Sequence, residues 1–327
     1  MNPDRHFCTL FDRNYLLKGI VMLDSLVRHC PEATIHVLCM DQITHRLLGE
    51  LHLPAVKMLQ LVDVEDEDLL RVKPGRSVAE YCWTLTASLC WHILQTLPEV
   101  QKLTYVDADL MFFSDVEPLF TESANASIAI IEHRFGPQLS YLEAYGRFNV
   151  EWVGFRRTAA GLDCLRIWRN QCIEWCYARL EEGRIGDQKY LDEWPANYGN
   201  DVHILQHAGA GIAPWNFANY CIVETDGRIT INETPLIFYH FHQFQIIAGG
   251  QFNRVSDLYA DRVPIPAIIY ERYEQELLSA LRRVRCIDPQ FNSGIRRRGA
   301  VLARRLVQRM VPVGVKNVLR RFGIQPW

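Results

Sequence analysis

The stretch KLTYVDADLMFF, residues 102–113, decides how the chain is read. Its apolar lead-in, with Leu103, Tyr105 and Val106, predicts a strand covered on both faces that runs up to a pair of acids. Asp107 and Asp109 follow one residue apart. In extended chain, residues i and i+2 point the same way, so both carboxylates face one point while small Ala108 faces away. Two like charges this close repel unless a cation sits between them. Hard oxygen ligands favour manganese or magnesium, ions that complete their shells with substrate phosphates. The expectation is a divalent-metal site for a phosphorylated ligand at the carboxyl end of a sheet strand. Two solvated turn acids are the plainer alternative.

Working outward, HFCTLF (6–11), TIHVLCM (34–40) and VKMLQL (56–61) read as strands. Helical patterns over 16–29 and near 44–51 separate them, with Asp12-Arg13-Asn14 placed to cap the first and Pro31 to stop it. This alternation predicts an α/β fold with a mixed, mostly parallel sheet and helices on both faces. Residues 71–76 form a basic Pro/Gly loop, and Ser77 caps a long helix to about residue 97 that leads into the Asp107 strand. Beyond it, SIAIIEH (127–133) and FNVEWVGF (148–155) are further strands, and apolar spacing from Leu162 to Leu180 predicts a helix over 159–182. Gly183 and Gly186 end that helix, and Asp187 stands at the N-cap of a new one. VHIL (202–205), ITI (229–231) and LIFYHFH (236–242) supply later strands, and Pro264 and Pro266 precede a helix from about 268 to 285. Ligands of α/β sheets gather at the carboxyl ends of strands, so Asp12 and Asn14 share one rim with Asp107 and Asp109. There is no G-x-G-x-x-G and no Walker lysine loop, which argues against a dinucleotide or P-loop enzyme. Without a glycine cradle, a phosphate needs a metal and basic side chains.

The chain has 327 residues, 49% hydrophobic, enough for a large core. Its net charge of −3 conceals an asymmetry: residues 277–327 carry 12 Lys/Arg against one acid, leaving 23 basic and 37 acidic residues before them. Ten cysteines without C-x-x-C pairing read as free thiols of a reducing compartment. The N-terminus lacks a signal-peptide pattern, and no apolar run approaches the roughly 20 residues of a spanning helix, so a cytoplasmic protein is expected. In the tail, RRRGAVLARRLVQRMVPVGVKNVLRRFGIQPW interleaves Arg with apolar residues, as suits an amphipathic helix on an anionic membrane surface. A nucleic-acid arm is the rival, but stacking aromatics are few, so no nucleic acid is expected. The division expected is a catalytic domain over 1–267 and a basic helical segment over 268–327.

Four motifs across about residues 6–245 resemble the GT-A glycosyltransferases, most closely family 8 and its bacterial relatives in polysaccharide and lipopolysaccharide assembly. Asp12-Arg13-Asn14-Tyr15 is similar to the family's D-x-N-Y, and KLTYVDADLMFF to its K-v-l-Y-l-D-a-D. Gly186-Asp187-Gln188 resembles the D-Q beneath the donor sugar, and Tyr239-His240-Phe241 the H-F whose histidine is the third metal ligand. The resemblance implies a UDP-sugar donor contacted by Leu10, Asp12, Asn14, Tyr15, Asp107, Ala108 and Asn149, and a metal held by Asp107, Asp109 and His240, with His242 in reserve. It implies a glycan or lipid-linked acceptor, and a reaction that retains configuration, with Asp187 and Gln188 at the reacting centre.

The departures are as informative. Asn149 opens a motif whose glycine position holds Glu151, and the G-x-x-K-P-W that should follow His240-Phe241, with its diphosphate lysine, is missing. Thr84 stands where the family places a donor arginine, leaving Arg76 or Lys73 as substitutes, with Arg71 in the same basic lid. An inverting enzyme would need a carboxylate base, for which Glu151 and Asp187 are both available. A non-catalytic nucleotide-sugar-binding or glycan-binding relative is also open, with Glu151 its best argument. A sugar-nucleotide pyrophosphorylase would want a glycine-rich loop that LFDRNYLLKG does not supply. Trp194, Tyr198, Trp215 and Asn216 are candidates for an acceptor cleft.

Overall fold

The structure, a computed structural model, describes residues 5–256, 258–259 and 264–297. Of the amphipathic stretch expected on the membrane, residues 296–327, all but the first two lie outside them.

Strands and helices alternate through the first half: β1 (Arg5–Phe11), α1 (Leu16–His29), β2 (Ala33–Cys39), α2 (Gln42–Leu51) and β3 (Val56–Gln60). Two short helices, α3 (Leu61–Val64) and α4 (Glu67–Val72), lead to α5 (Val78–Thr96), β4 (Lys102–Val106), β5 (Leu110–Phe112) and α6 (Glu117–Glu122). Then come β6 (Ile128–Glu132), β7 (Phe148–Arg156), α7 (Ala159–Glu174), α8 (Trp194–Tyr198) and β8 (Val202–Leu205). Short strands β9 (Ile222–Thr225), β10 (Arg228–Ile231), β11 (Thr234–Pro235), β12 (Phe238–His240), β13 (Gln245–Ile247) and β14 (Gln251–Asn253) precede α9 (Ala267–Ile287) and β15 (Ile295–Arg296).

Seven strands form the central sheet in the order β3-β2-β1-β4-β7-β6-β8. It is mixed and mostly parallel, with β7 alone antiparallel to both its neighbours. The two-residue period of a strand divides the core between its faces. Phe7 and Phe11 of β1 pack with α1 and α9, whereas Cys8 and Leu10 pack with α5 and α7. The helix over 268–285 is there as α9. Tyr270, Tyr273, Leu277, Ala280 and Val284 belong to the same apolar core as Phe7 and Leu16.

The helix expected over 159–182 stops at Glu174. Apolar spacing continues through Trp175 and Cys176, but the chain turns back at Glu182 and Gly183, both at positive φ. Arg76 receives the end of α7: its guanidinium donates to the carbonyls of Cys172 at 2.6 Å and Ile173 at 2.6 Å. Those final carbonyls have no partner within the helix, and a cation there is also favoured by the helix dipole. Ser77 caps α5 as expected, in a reciprocal pair with Glu80.

Candidate active site

The chain brings Asp107, Asp109 and His240 together by a local device. After β4 the backbone turns through Asp107–Asp109 and leaves as β5, which pairs antiparallel with β12, setting Leu110 opposite His240. The Phe241 amide donates to the Asp109 carbonyl at 2.9 Å, and the His240 amide to that of Ile212 at 2.8 Å. Aromatic packing holds β12 in register: Phe238 stacks on Trp152 of β7 with ring centroids 5.7 Å apart and meets Phe112 of β5. His240 Nε2 lies 3.0 Å from Asp109 Oδ1 and 3.9 Å from Asp107 Oδ2. One ligand atom from each of the three lies within 4.8 Å of the others, the one such cluster among the described residues.

Negative charge is crowded here. Burial pushes the Asp107 carboxyl up to about 6, with Asp109 and Glu151 adding to the rise and His240 opposing it. Burial also acts on Asp109, but His240 and then Lys18 outweigh it and hold that carboxyl well below the usual range. For His240, burial is outweighed by Asp109 and Glu151, so its proton is held more tightly than usual. Three carboxylates converging on one imidazole are what a divalent cation would relieve, and an oxygen-rich set with one neutral nitrogen suits manganese or magnesium. The residues fit such an ion.

Around this cluster the other sequence candidates fall as follows. Asp12 accepts from the amides of Asn14 at 2.9 Å and Tyr15 at 3.2 Å and from the Asn14 side chain at 2.8 Å, closing the turn between β1 and α1. Leu10 and Ala108 are buried. A cavity of about 520 Å³ opens beside Arg13 at the carboxyl ends of β2 and β3, lined by Met40, Asp41, Ile43, Gln60 and Glu65 among others. Behind the turn, Gly294 (φ +73°) is pressed so closely that a Cβ would stand 2.2 Å from the Asn14 carbonyl oxygen. The chain after α9 thus braces the rim from outside.

Asp187 is buried, and burial, reinforced by Asp107, pushes its carboxyl up to about 7. Gln188 donates from its side-chain amide to the Tyr145 carbonyl at 2.8 Å. Asn149 is buried and accepts from the Glu151 amide at 2.8 Å. His242 is partly exposed, and burial followed by repulsion from His240 lowers it to about 4. Trp215 is buried against His240 and His242, whereas Trp194 packs inside with Trp168 and Phe155 on the far side of the sheet.

The three cations expected in a basic lid have partners within the fold. Arg71 pairs with Asp68, Lys73 with Glu65 at 2.6 Å, and Arg76 with the end of α7 and with Thr84. Arg76 is a helix cap in this structure, because two carbonyls at the end of α7 claim it. Glu151, one of the two carboxylates available as a base, has a side chain that is 0% exposed and lies behind His240, with Oε2 2.6 Å from Nδ1.

A cation that the sequence reading passed over takes the place beside the acids. Lys18, on the buried face of α1, lies with Nζ 3.5 Å from Asp109 Oδ2 and 4.5 Å from the centre of the Tyr15 ring. The signal available was a lysine inside the apolar run LLKGIVML.

A mixed α/β sheet whose central strand ends in an acid pair, closed by a histidine from a distant strand, is the arrangement that the resemblance implies for a GT-A glycosyltransferase. The model of glycosyl transferase family 8 matches residues 6–153. Two uncharacterized proteins of Bacillus subtilis (strain 168) extend the likeness over nearly the whole chain. YfnD is 35% identical over 292 residues, 88% of this chain and 94% of its own. YfnF is 31% identical over 294 residues, 88% of this chain and 96% of its own. The chain is a GT-A glycosyltransferase that resembles glycosyl transferase family 8. Among solved structures, the fold is similar to that of the glycosyltransferase GlyE of Streptococcus pneumoniae TIGR4, with a TM-score of 0.51 at 14% identity over 89% of this chain and 66% of that one. It is also similar to an active-site mutant of LgtC, with a TM-score of 0.50 at 16% identity over 84% of this chain and 95% of that one.

Proposed function

We propose that this glycosyltransferase is metal-dependent and moves a hexose from a UDP-sugar to a glycan or lipid-linked acceptor, with retention of configuration. The observation that carries the reading is the threading of His240 onto the acid pair by the β5–β12 ladder, which gathers three ligand atoms within 4.8 Å. Asp107, Asp109 and His240 would hold manganese or magnesium. A bound ion of this kind acts as a Lewis acid on the departing diphosphate, worth about several kcal/mol. Lys18 adds a second positive charge beside Asp109, in the role expected of Arg76 or Lys73. The uridine would lie over the turn Asp12–Tyr15, with Leu10, Ala108 and Asn149 around it and its base directed into the cavity beside Arg13. Asp187 and Gln188 would bind sugar hydroxyls under the anomeric carbon. Retention needs no strong base on the opposite face, which agrees with Glu151 being sealed from solvent.

Among the described residues, no helix is long and apolar enough to cross a membrane. Location at the cytoplasmic face, through attraction of the basic 268–327 segment to anionic lipid, is part of this proposal, as is its distinction from the 1–267 catalytic unit. The test is release of UDP from a panel of UDP-sugars, with manganese or magnesium and with EDTA. Turnover that requires the metal supports the reading. Turnover that EDTA leaves untouched, or none with any UDP-sugar and a panel of glycan and lipid-linked acceptors, overturns it.

A further inference from the structure

We propose that Glu151 is the positioning residue of the metal-binding histidine. Its carboxylate accepts the Nδ1–H of His240 and thereby presents Nε2, lone pair outward, to the ion shared with Asp107 and Asp109. The inference rests on the metal site proposed above and adds the residue that gives the histidine its tautomer and basicity.

The geometry is specific to this role. A carboxylate with no exposure to water is costly unless it meets a charged or donating partner, and the partner Glu151 meets is His240 Nδ1, 2.6 Å from Oε2. The other ring nitrogen faces the acid pair. A neutral imidazole carries one N–H, so fixing it on Nδ1 leaves Nε2 as the ligand atom. A carboxylate behind a ligating imidazole also strengthens the ring as a donor. Oε1 of Glu151 has no hydrogen-bond partner among the described residues, so His240 Nδ1, at Oε2, is the one side-chain donor this carboxylate has among them.

The backbone of Glu151 is equally constrained. Its carbonyl accepts from the Asp107 amide at 3.3 Å, and its own amide donates to Asn149 Oδ1 at 2.8 Å. One residue therefore couples two of the three ligands, on segments far apart in sequence. Space for the side chain comes from Gly211 (φ +69°), where a Cβ would stand 3.1 Å from Oε1. Glu151 occupies the position that the family resemblance assigns to glycine. The acid is thus a feature of this chain, and its burial behind the imidazole excludes contact with an acceptor.

The test measures manganese binding to the full-length protein by electron paramagnetic resonance of free Mn2+, without nucleotide or acceptor. Four proteins are compared: wild type, Glu151→Gln, His240→Asn and the double variant. Glu151→Gln conserves shape and removes the charge, and it should weaken binding by ~10- to 100-fold. In the His240→Asn background the same change should alter binding by less than ~2-fold, because its effect passes through the imidazole. A merely structural Glu151 would weaken binding equally in both backgrounds, and that result overturns the proposal. So does Glu151→Gln binding Mn2+ as the wild type does. Should Glu151→Gln not fold, Glu151→Asp keeps the charge but withdraws it by one methylene, and undiminished binding there is equally contrary. A wild type that binds no Mn2+ sinks the metal site and this inference together. A wild type that binds Mn2+ with the expected coupling but releases no UDP overturns the transferase reading alone.

Discussion

Replacing Lys18 with methionine separates what the fold needs from what the donor needs. The ammonium lies 3.5 Å from Asp109 Oδ2, with both side chains buried. At an effective dielectric of about 20, that separation is worth about 5 kcal/mol of attraction. Burial nevertheless outweighs Asp109, and the pKa of Lys18 is lowered by the fold. The sign follows. A lysine with a depressed folded pKa contributes stability only above its unfolded pKa, and at about pH 7.5 its charge opposes folding. Asp109 keeps His240 at 3.0 Å after the change, and methionine fills a similar volume. The melting temperature of the metal-free Lys18→Met protein should therefore equal or exceed that of the wild type. The loss should appear in the ligand. A charge-assisted hydrogen bond to phosphate contributes about 1.5–3 kcal/mol, or a factor of roughly 10 to 150 in UDP affinity. Calorimetric titration of UDP with saturating Mn2+, beside a thermal melt in EDTA, reads both quantities. A melt lowered by several degrees with UDP affinity intact would show that Lys18 is a structural ion pair and refute the reasoning.

Three further perturbations address other parts of the site. Asp109→Ala should abolish metal-dependent stabilisation by UDP, which at a hundredfold excess over the dissociation constant is about 2.7 kcal/mol in the wild type; an undiminished thermal shift counts against the metal site. Arg76→Ala should destabilise the fold by about 2–3 kcal/mol, through the carbonyls of Cys172 and Ile173 left without their donor, with little change in KM for the donor; denaturant unfolding and steady-state kinetics together decide, and a rise in KM without loss of stability restores Arg76 to the donor site. For Asp187, raised from 3.8 to about 7 in the fold, the protonated form is favoured, so the wild type loses stability as pH rises from about 4 to about 7. Asp187→Asn should remove that slope, gaining up to about 4 kcal/mol on the wild type by pH 8 in EDTA, and parallel pH–stability curves would contradict it.

What could be read in the chain was whatever is local. The acid pair declared itself as two carboxylates one residue apart behind an apolar strand, although they converge through a turn after β4 and not through strand alternation. The order of the first strands was legible because helical and strand periods alternate from Phe7 to Gln60. His240 came from the family resemblance, since its approach depends on β12 pairing with β5 more than a hundred residues earlier. Composition left the partners of Arg71, Lys73 and Arg76 open, because a run of cations does not reveal which neighbours will claim each one. Lys18 was hidden by the opposite effect: the helical pattern assigned its face to the core, and the carboxylate that makes burial tolerable is contributed by another element. Glu151 was visible as an exception but not as an orientation. The β6–β7 register shifts between Ala129 and Ile131, where Gly154 and Asn149 are the respective partners, so β7 carries extra residues through the interval that contains Glu151. Such a bulge breaks strand parity and re-aims a side chain. The direction of Glu151, and with it the difference between a base facing an acceptor and a support behind His240, is set by that irregularity and is not encoded in any periodicity of FNVEWVGF.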